Sequence, residues 1–111
     1  MSDKYILDNH KARRCADLLK WARWMETGDR RVAETAIGKS RVSTVFLGLD
    51  HSFGEGPPLL FETMVFGGAN ADYMIRSSTW EEAEAQHEDA IGIVTVSEAM
   101  KSGAGGPAAI S

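Results

Sequence analysis

Apolar and polar positions change period several times along this chain, and each change marks an element. Tyr5 to Leu7 predicts a short strand turned by Asp8, Asn9 and His10. From Asp17 the spacing becomes three and four: Leu18, Leu19, Ala22 and Met25 share a face, Cys15 leads into it, and Trp21 and Trp24 widen it. This predicts a helix ending near Thr27 and Gly28, with Gly28 in the left-handed conformation that closes many helices. Val32 to Ile37 alternates imperfectly and is followed by Gly38 and Lys39, which predicts a hairpin turn. A first helix continuing through Ala33 is the competing reading.

Two β-type apolar runs, Arg41 to Asp50 and Leu59 to Phe66, are split by the turn-rich stretch His51 to Pro58 and predict a hairpin at the centre of the fold. In the first run Val42, Thr44 and Phe46 share one face and Val45, Leu47 and Leu49 the other, so both faces of a central strand are expected to be largely covered. Gly67 to Asn70 predicts the next turn, and Tyr73 to Arg76 a fourth strand. Thr79 and Glu82 then stand in capping-box spacing and start a second helix. Its predicted buried stripe is Trp80, Ala83, Glu84 or His87, Ala90, Ile91 and Val94, leaving Glu81, Glu82, Glu88 and Asp89 to solvent. The expected architecture is α+β: a single domain over residues 1–100, with a three- to four-stranded antiparallel sheet packed with two helices. Residues 101–111 form a flexible Gly/Ala-rich tail in this reading.

Composition narrows the picture. At 111 residues and 43% hydrophobic content, the chain supports one core, and three Trp argue against disorder. The single cysteine, Cys15, permits neither an intrachain disulfide nor a paired-cysteine zinc site. Arg13 and Arg14 beside it raise the reading of a reactive thiol, but a structural role is preferred. The first residues lack the apolar region of a signal peptide and no run has the length to span a bilayer, so a cytoplasmic protein without a membrane partner is expected.

Charge is distributed unevenly. Residues 1–41 carry ten Lys or Arg against six Asp or Glu, a net of +4, and residues 42–111 carry two against ten, a net of −8. No Lys or Arg occurs between Arg76 and Lys101. Such a segment repels phosphates, and no direct nucleic-acid binding is expected.

Candidate chemistry is sparse. A metal-dependent hydrolase or nuclease would draw on His51, Glu62 and His87, yet at about 3.3 Å per residue His51 and Glu62 would stand roughly 10 Å apart along a strand pair without a bulge. Against it, His87 on an apolar stripe reads as a buried hydrogen-bonding residue, and Glu62 as a solvent-facing carboxylate or a partner of Arg76. His10 completes the histidines. The loop from Gly54 to Pro58 lacks the Lys-Ser or Lys-Thr ending of a phosphate loop and reads as a shaped hairpin loop with Phe53 as a contact residue. The three tryptophans read as core. Neither Ser43 and Thr44 nor Ser77 to Thr79 has a nucleophile-elbow context.

Trp21 to Trp24, Val42 to His51, Gly56 to Gly68, and Ser78 to Glu84 with His87 together resemble a group of small uncharacterised proteins encoded by tailed bacteriophages and prophages. The resemblance reaches to about Val94 and leaves out Lys11 to Arg14 and the tail. It implies a phage or prophage origin and action in the bacterial cytoplasm, and carries no activity with it. The leading expectation is therefore a non-enzymatic accessory protein that binds a host protein, inhibiting a defence or nucleic-acid-processing machine, with no cofactor and no catalytic residue. Glu81, Glu82, Glu88, Asp89 and Phe53 are its expected binding residues, although a solvated helix face explains the same charges. A virion or assembly component that self-associates into a homo-oligomer is the remaining alternative.

Overall fold

Turn residues divide the chain close to where its alternation changes. In the computed structural model, which describes residues 3–101, the order is β1 (Tyr5–Asp8), β2 (Lys11–Arg14), α1 (Leu18–Thr27), β3 (Arg31–Ile37), β4 (Ser40–Phe46), β5 (Phe61–Phe66), β6 (Met74–Ser77) and α2 (Trp80–Lys101). Strands β3 to β6 form a four-stranded antiparallel meander in chain order, and β1 and β2 form a separate hairpin. Helix α2 packs across all four strands of the larger sheet. The fold is α+β. The tail expected beyond Lys101 lies outside the described residues.

Period-two alternation assigns the two faces of the sheet. Val42, Thr44 and Phe46 on β4, with Phe61, Thr63 and Val65 on β5, are buried beneath α2. They form two apolar clusters. Phe46, Leu60, Phe61 and Ala83 make one, and Val42, Val65, Ala90 and Val94 make the other. Between them in register lies a polar layer: Thr44 pairs with Thr63 across the strands, and His87 descends from α2 onto it. The inner stripe of α2 is Ala83, His87, Ala90 and Val94, whereas Glu84 is exposed.

Helix α1 departs from its expected orientation. Leu18, Leu19 and Ala22 face solvent, and no residue of the helix is fully buried. Docking instead runs through Trp21, whose Nε1 donates to the Gly48 carbonyl at 3.1 Å, and Trp24, which meets Phe46 edge-on at 5.6 Å between ring centroids. Gly48 has φ +80°, the left-handed region that favours glycine, and the tip of Met25 lies over the side where a Cβ would stand. The half-buried positions of the helix, Trp21, Trp24 and Met25, share one side of it, and the larger rings prevail over the leucines. Gly28 is extended (φ −76°, ψ 155°) and not left-handed. Its lack of a side chain still matters, because a Cβ there would lie within 2.6 to 2.9 Å of the Trp24 ring and carbonyl.

Helix α1 reaches the sheet only at Phe46, through Trp24, on the same face that α2 covers, so among the described residues no helix lies over the other face of β4. The two-sided coverage expected for that strand is not met: Arg41 is exposed, and Ser43 and Val45 are half-buried. Strand β2 was not predicted, since Lys11 to Arg14 is short, charged and largely exposed. Cys15 is buried, with its Sγ 3.6 Å from the Asp17 carbonyl, in keeping with the structural reading.

The capping box has the form its spacing predicts. Thr79 Oγ1 accepts from the Glu82 N–H at 3.1 Å, while Glu82 Oε1 accepts from the N–H groups of Thr79 at 3.3 Å and Ser78 at 3.0 Å. Thr79→Ala is expected to lower stability by about 1 kcal/mol, and Thr79→Ser to restore most of it. Thermal or urea unfolding followed by circular dichroism checks this.

Candidate protein-binding surface

At 22 residues, α2 is about 33 Å long at 1.5 Å per residue, and small residues on its inner stripe let it lie close to the sheet. Both ends are tied down. The capping box holds the first turn, and at the far end Glu98 accepts from Ser40 Oγ at 2.9 Å and from the Lys39 N–H at 3.3 Å. Gly38 and Gly68, both with positive φ, flank this carboxylate, and a side chain at either would collide with it. Sequence reasoning missed this anchor, because Glu98 and Ser40 are 58 residues apart and neither stands in a motif.

The outer side of the helix is chemically two-part. Glu81, Glu84, Glu88 and Asp89 are exposed along the first half, and Gly92, Ile93, Val96 and Met100 are exposed along the second. Val96 leaves 59% and Met100 75% of its surface in water. A shallow depression of about 610 Å³ joins the halves, lined by Glu88, Asp89, Gly92, Ile93, Val96 and Ser97. No heavy atom lies within 4 Å of where a Gly92 Cβ would stand, so the backbone is open to close approach. Of the expected binding residues, Glu81, Glu88 and Asp89 belong to this surface, and Glu82 caps the helix. The second, apolar half was not singled out from the sequence, although the spacing of Ile93, Val96 and Met100 carried the signal.

Phe53 stands apart, 95% exposed in the loop between β4 and β5. The neck of that loop is closed by Asp50, whose Oδ1 accepts from the N–H groups of Ser52 at 2.8 Å and Leu59 at 3.0 Å. The Ser52 hydrogen bonds, ahead of the others, hold the Asp50 carboxyl below the usual carboxylate range.

His51, Glu62 and His87 do not form one site. His87 is 2% exposed, with Nδ1 2.7 Å from Thr44 Oγ1 and Nε2 3.0 Å from Thr35 Oγ1, so both ring nitrogens are engaged beneath α2. Glu62 points from the opposite face of the sheet, where it meets Arg76 at 3.0 Å. His51 begins the loop, its N–H donating to the Leu59 carbonyl. Among the described residues no group of three or more His, Cys, Asp or Glu could hold a metal ion.

A second depression, about 560 Å³, lies between the β1–β2 turn and the start of α2. Its wall carries His10, stacked on Trp80 at 3.8 Å with 2° between the ring planes. Neither residue was placed in a site from the sequence beyond His10 as a spare histidine and Trp80 as core. Among the described residues no helix is long and apolar enough to cross a membrane. No protein-family model, curated protein or solved structure matches the chain.

Proposed function

We propose that this protein is a non-enzymatic binding module that engages another protein through the outer side of α2. The observation that supports it is the exposed apolar run Ile93, Val96 and Met100, which meets the carboxylates of Glu88 and Asp89 at Gly92 on one helix fixed at both ends. A scattered exposed apolar residue is ordinary, but a contiguous stripe beside an opening at Gly92 has the form of a docking surface. The fitting partner is a basic amphipathic segment: its cations meet the carboxylates, and its apolar residues seat over Gly92 and Val96. With the resemblance to phage-encoded proteins, the partner class is a protein of the bacterial host, and its defence or nucleic-acid-processing machinery is the first place to look.

The test is a photo-reactive amino acid at position 96, expressed in bacterial cells, beside the same probe at position 53. A single covalent adduct from position 96 is expected. Glu88→Lys with Asp89→Lys should reduce its yield at least about tenfold, as should raising salt. An adduct from position 53 alone, or one indifferent to the charge reversal, would overturn this reading.

A further inference from the structure

Strand β6 is an edge of the larger sheet, and among the described residues no strand pairs with its outer side. Register and hydrogen bonds decide which of its backbone groups look outward. The Tyr73 carbonyl accepts from the Val65 N–H at 3.2 Å and the Ser77 carbonyl from the Leu60 N–H at 2.9 Å, with Ile75 opposite Thr63 between them. Antiparallel pairing alternates, so Met74 and Arg76 turn their N–H and C=O groups away from β5. The opposite edge, β3, is blunted by a bulge between Arg31 and Ala33 and by the exposed charges of Arg31 and Glu34. Strand β6 pairs without a register shift, and its one charge, Arg76, is held by Glu62 at 3.0 Å.

A groove of about 370 Å³ lies between this edge and the flank of α2, lined by Arg76, Ser77, Glu82, Ala85 and Gln86 among others. Ser77 is 4% exposed, and its Oγ and the Gln86 Oε1 are buried without a hydrogen-bond partner among the described residues. Buried polar atoms are rarely left unpaired, and this pair requires a donor at Gln86 Oε1 and a polar partner at the Ser77 hydroxyl. Glu82 supplies neither, because its carboxylate is committed to the helix cap.

From this we infer that the β6 edge and this groove bind an extended peptide whose inward side chain carries a primary amide, Asn or Gln. The peptide joins antiparallel to β6 and pairs its backbone with the outward N–H and C=O groups of Met74 and Arg76. The peptide residue opposite Ser77 shares its face of the sheet, towards α2. There the carboxamide oxygen accepts from the Ser77 hydroxyl and the NH2 donates to Gln86 Oε1. One side chain thus completes both orphaned atoms, which an apolar one of the same size cannot do. The site is separate from the outer side of α2 and does not rest on the reading given for that surface.

Titration of the isotope-labelled full chain with a capped heptapeptide, Thr-Val-Thr-Gln-Thr-Val-Thr, to about 5 mM and followed by NMR tests it, since so short an interface binds weakly. The Met74 and Arg76 amides are expected to shift and to exchange more slowly with solvent, while the Ile75 amide, already turned to β5, changes little. Leu in place of the peptide's Gln, or Gln86→Leu in the protein, should each weaken binding at least about tenfold, and Val96→Asp should leave it unchanged. The peptide control needs no protein variant, so it decides the matter if circular dichroism shows that Gln86→Leu does not fold. No shift at Met74 and Arg76 at the highest concentration overturns the inference. So does binding that tolerates Leu in the peptide, or binding that Val96→Asp abolishes.

Discussion

Replacing Phe46 by alanine is expected to lower stability by about 3–5 kcal/mol, a large share of what a domain of this size possesses. The ring is fully buried, tilted against Phe61 at 5.3 Å and edge-on to Trp24 at 5.6 Å. It therefore joins the sheet to α1, a helix with no fully buried residue of its own. Loss of the ring leaves a cavity and removes the surface against which Trp24 rests. Urea unfolding followed by both circular dichroism and tryptophan fluorescence measures it. Fluorescence is expected to change before the helical signal, as α1 leaves first. A loss under about 1 kcal/mol would show that α1 docks independently of Phe46.

His87→Ala is expected to lower stability by about 2–4 kcal/mol, from the space left by the ring and from the Thr35 hydroxyl losing its partner. Thr44 keeps Thr63 at 2.7 Å, which limits the loss. The same residue makes stability depend on pH. Burial disfavours the imidazolium and holds the His87 pKa below its ordinary value of 6.5, while the nearby Glu88 opposes that shift more weakly. In the unfolded chain the ring takes up a proton near pH 6.5, and in the folded chain only at lower pH. The contribution is thus fully present above the unfolded value and is lost as pH falls through the folded one, at a slope of at most about 1.4 kcal/mol per pH unit. Unfolding free energies measured between about pH 5 and 8 should show this slope in the native protein and a shallower one in His87→Leu. An identical slope in both would assign the pH dependence elsewhere.

Much of the second half of the fold was legible in the residues. The Thr79 and Glu82 spacing marked the start of α2, its three-and-four pattern marked Ala83, His87, Ala90 and Val94, and Arg76 was a named partner for Glu62. These signals are local: a cap is a hydrogen bond across three residues, and a buried stripe is a period. The surface of α2 was only half legible. Carboxylates announce themselves as exposed, but whether Ile93 and Val96 face the core or water depends on which side of the helix the sheet occupies.

The separation of Glu62 from His87 shows the same division. Alternation places Glu62 opposite to its neighbour Thr63 in any strand, yet only the register that sets Thr63 beside Thr44, under His87, puts the two charges' residues on different sides of a sheet. By itself the sequence determined the central hairpin of β4 and β5, the strand after it, the start of α2 and most of the residues that α2 buries, because hydrogen bonds and side-chain periods within a few residues decide those. The short charged β2 and the choice of strand over helix at Val32 and Ala33 were not decided locally. Only the tertiary structure decided that α1 turns its tryptophans to Gly48 and Phe46 and leaves one sheet face open. The contact from Trp21 spans 27 residues, and no local period encodes which of two apolar sides of a short helix will find a surface to bury against.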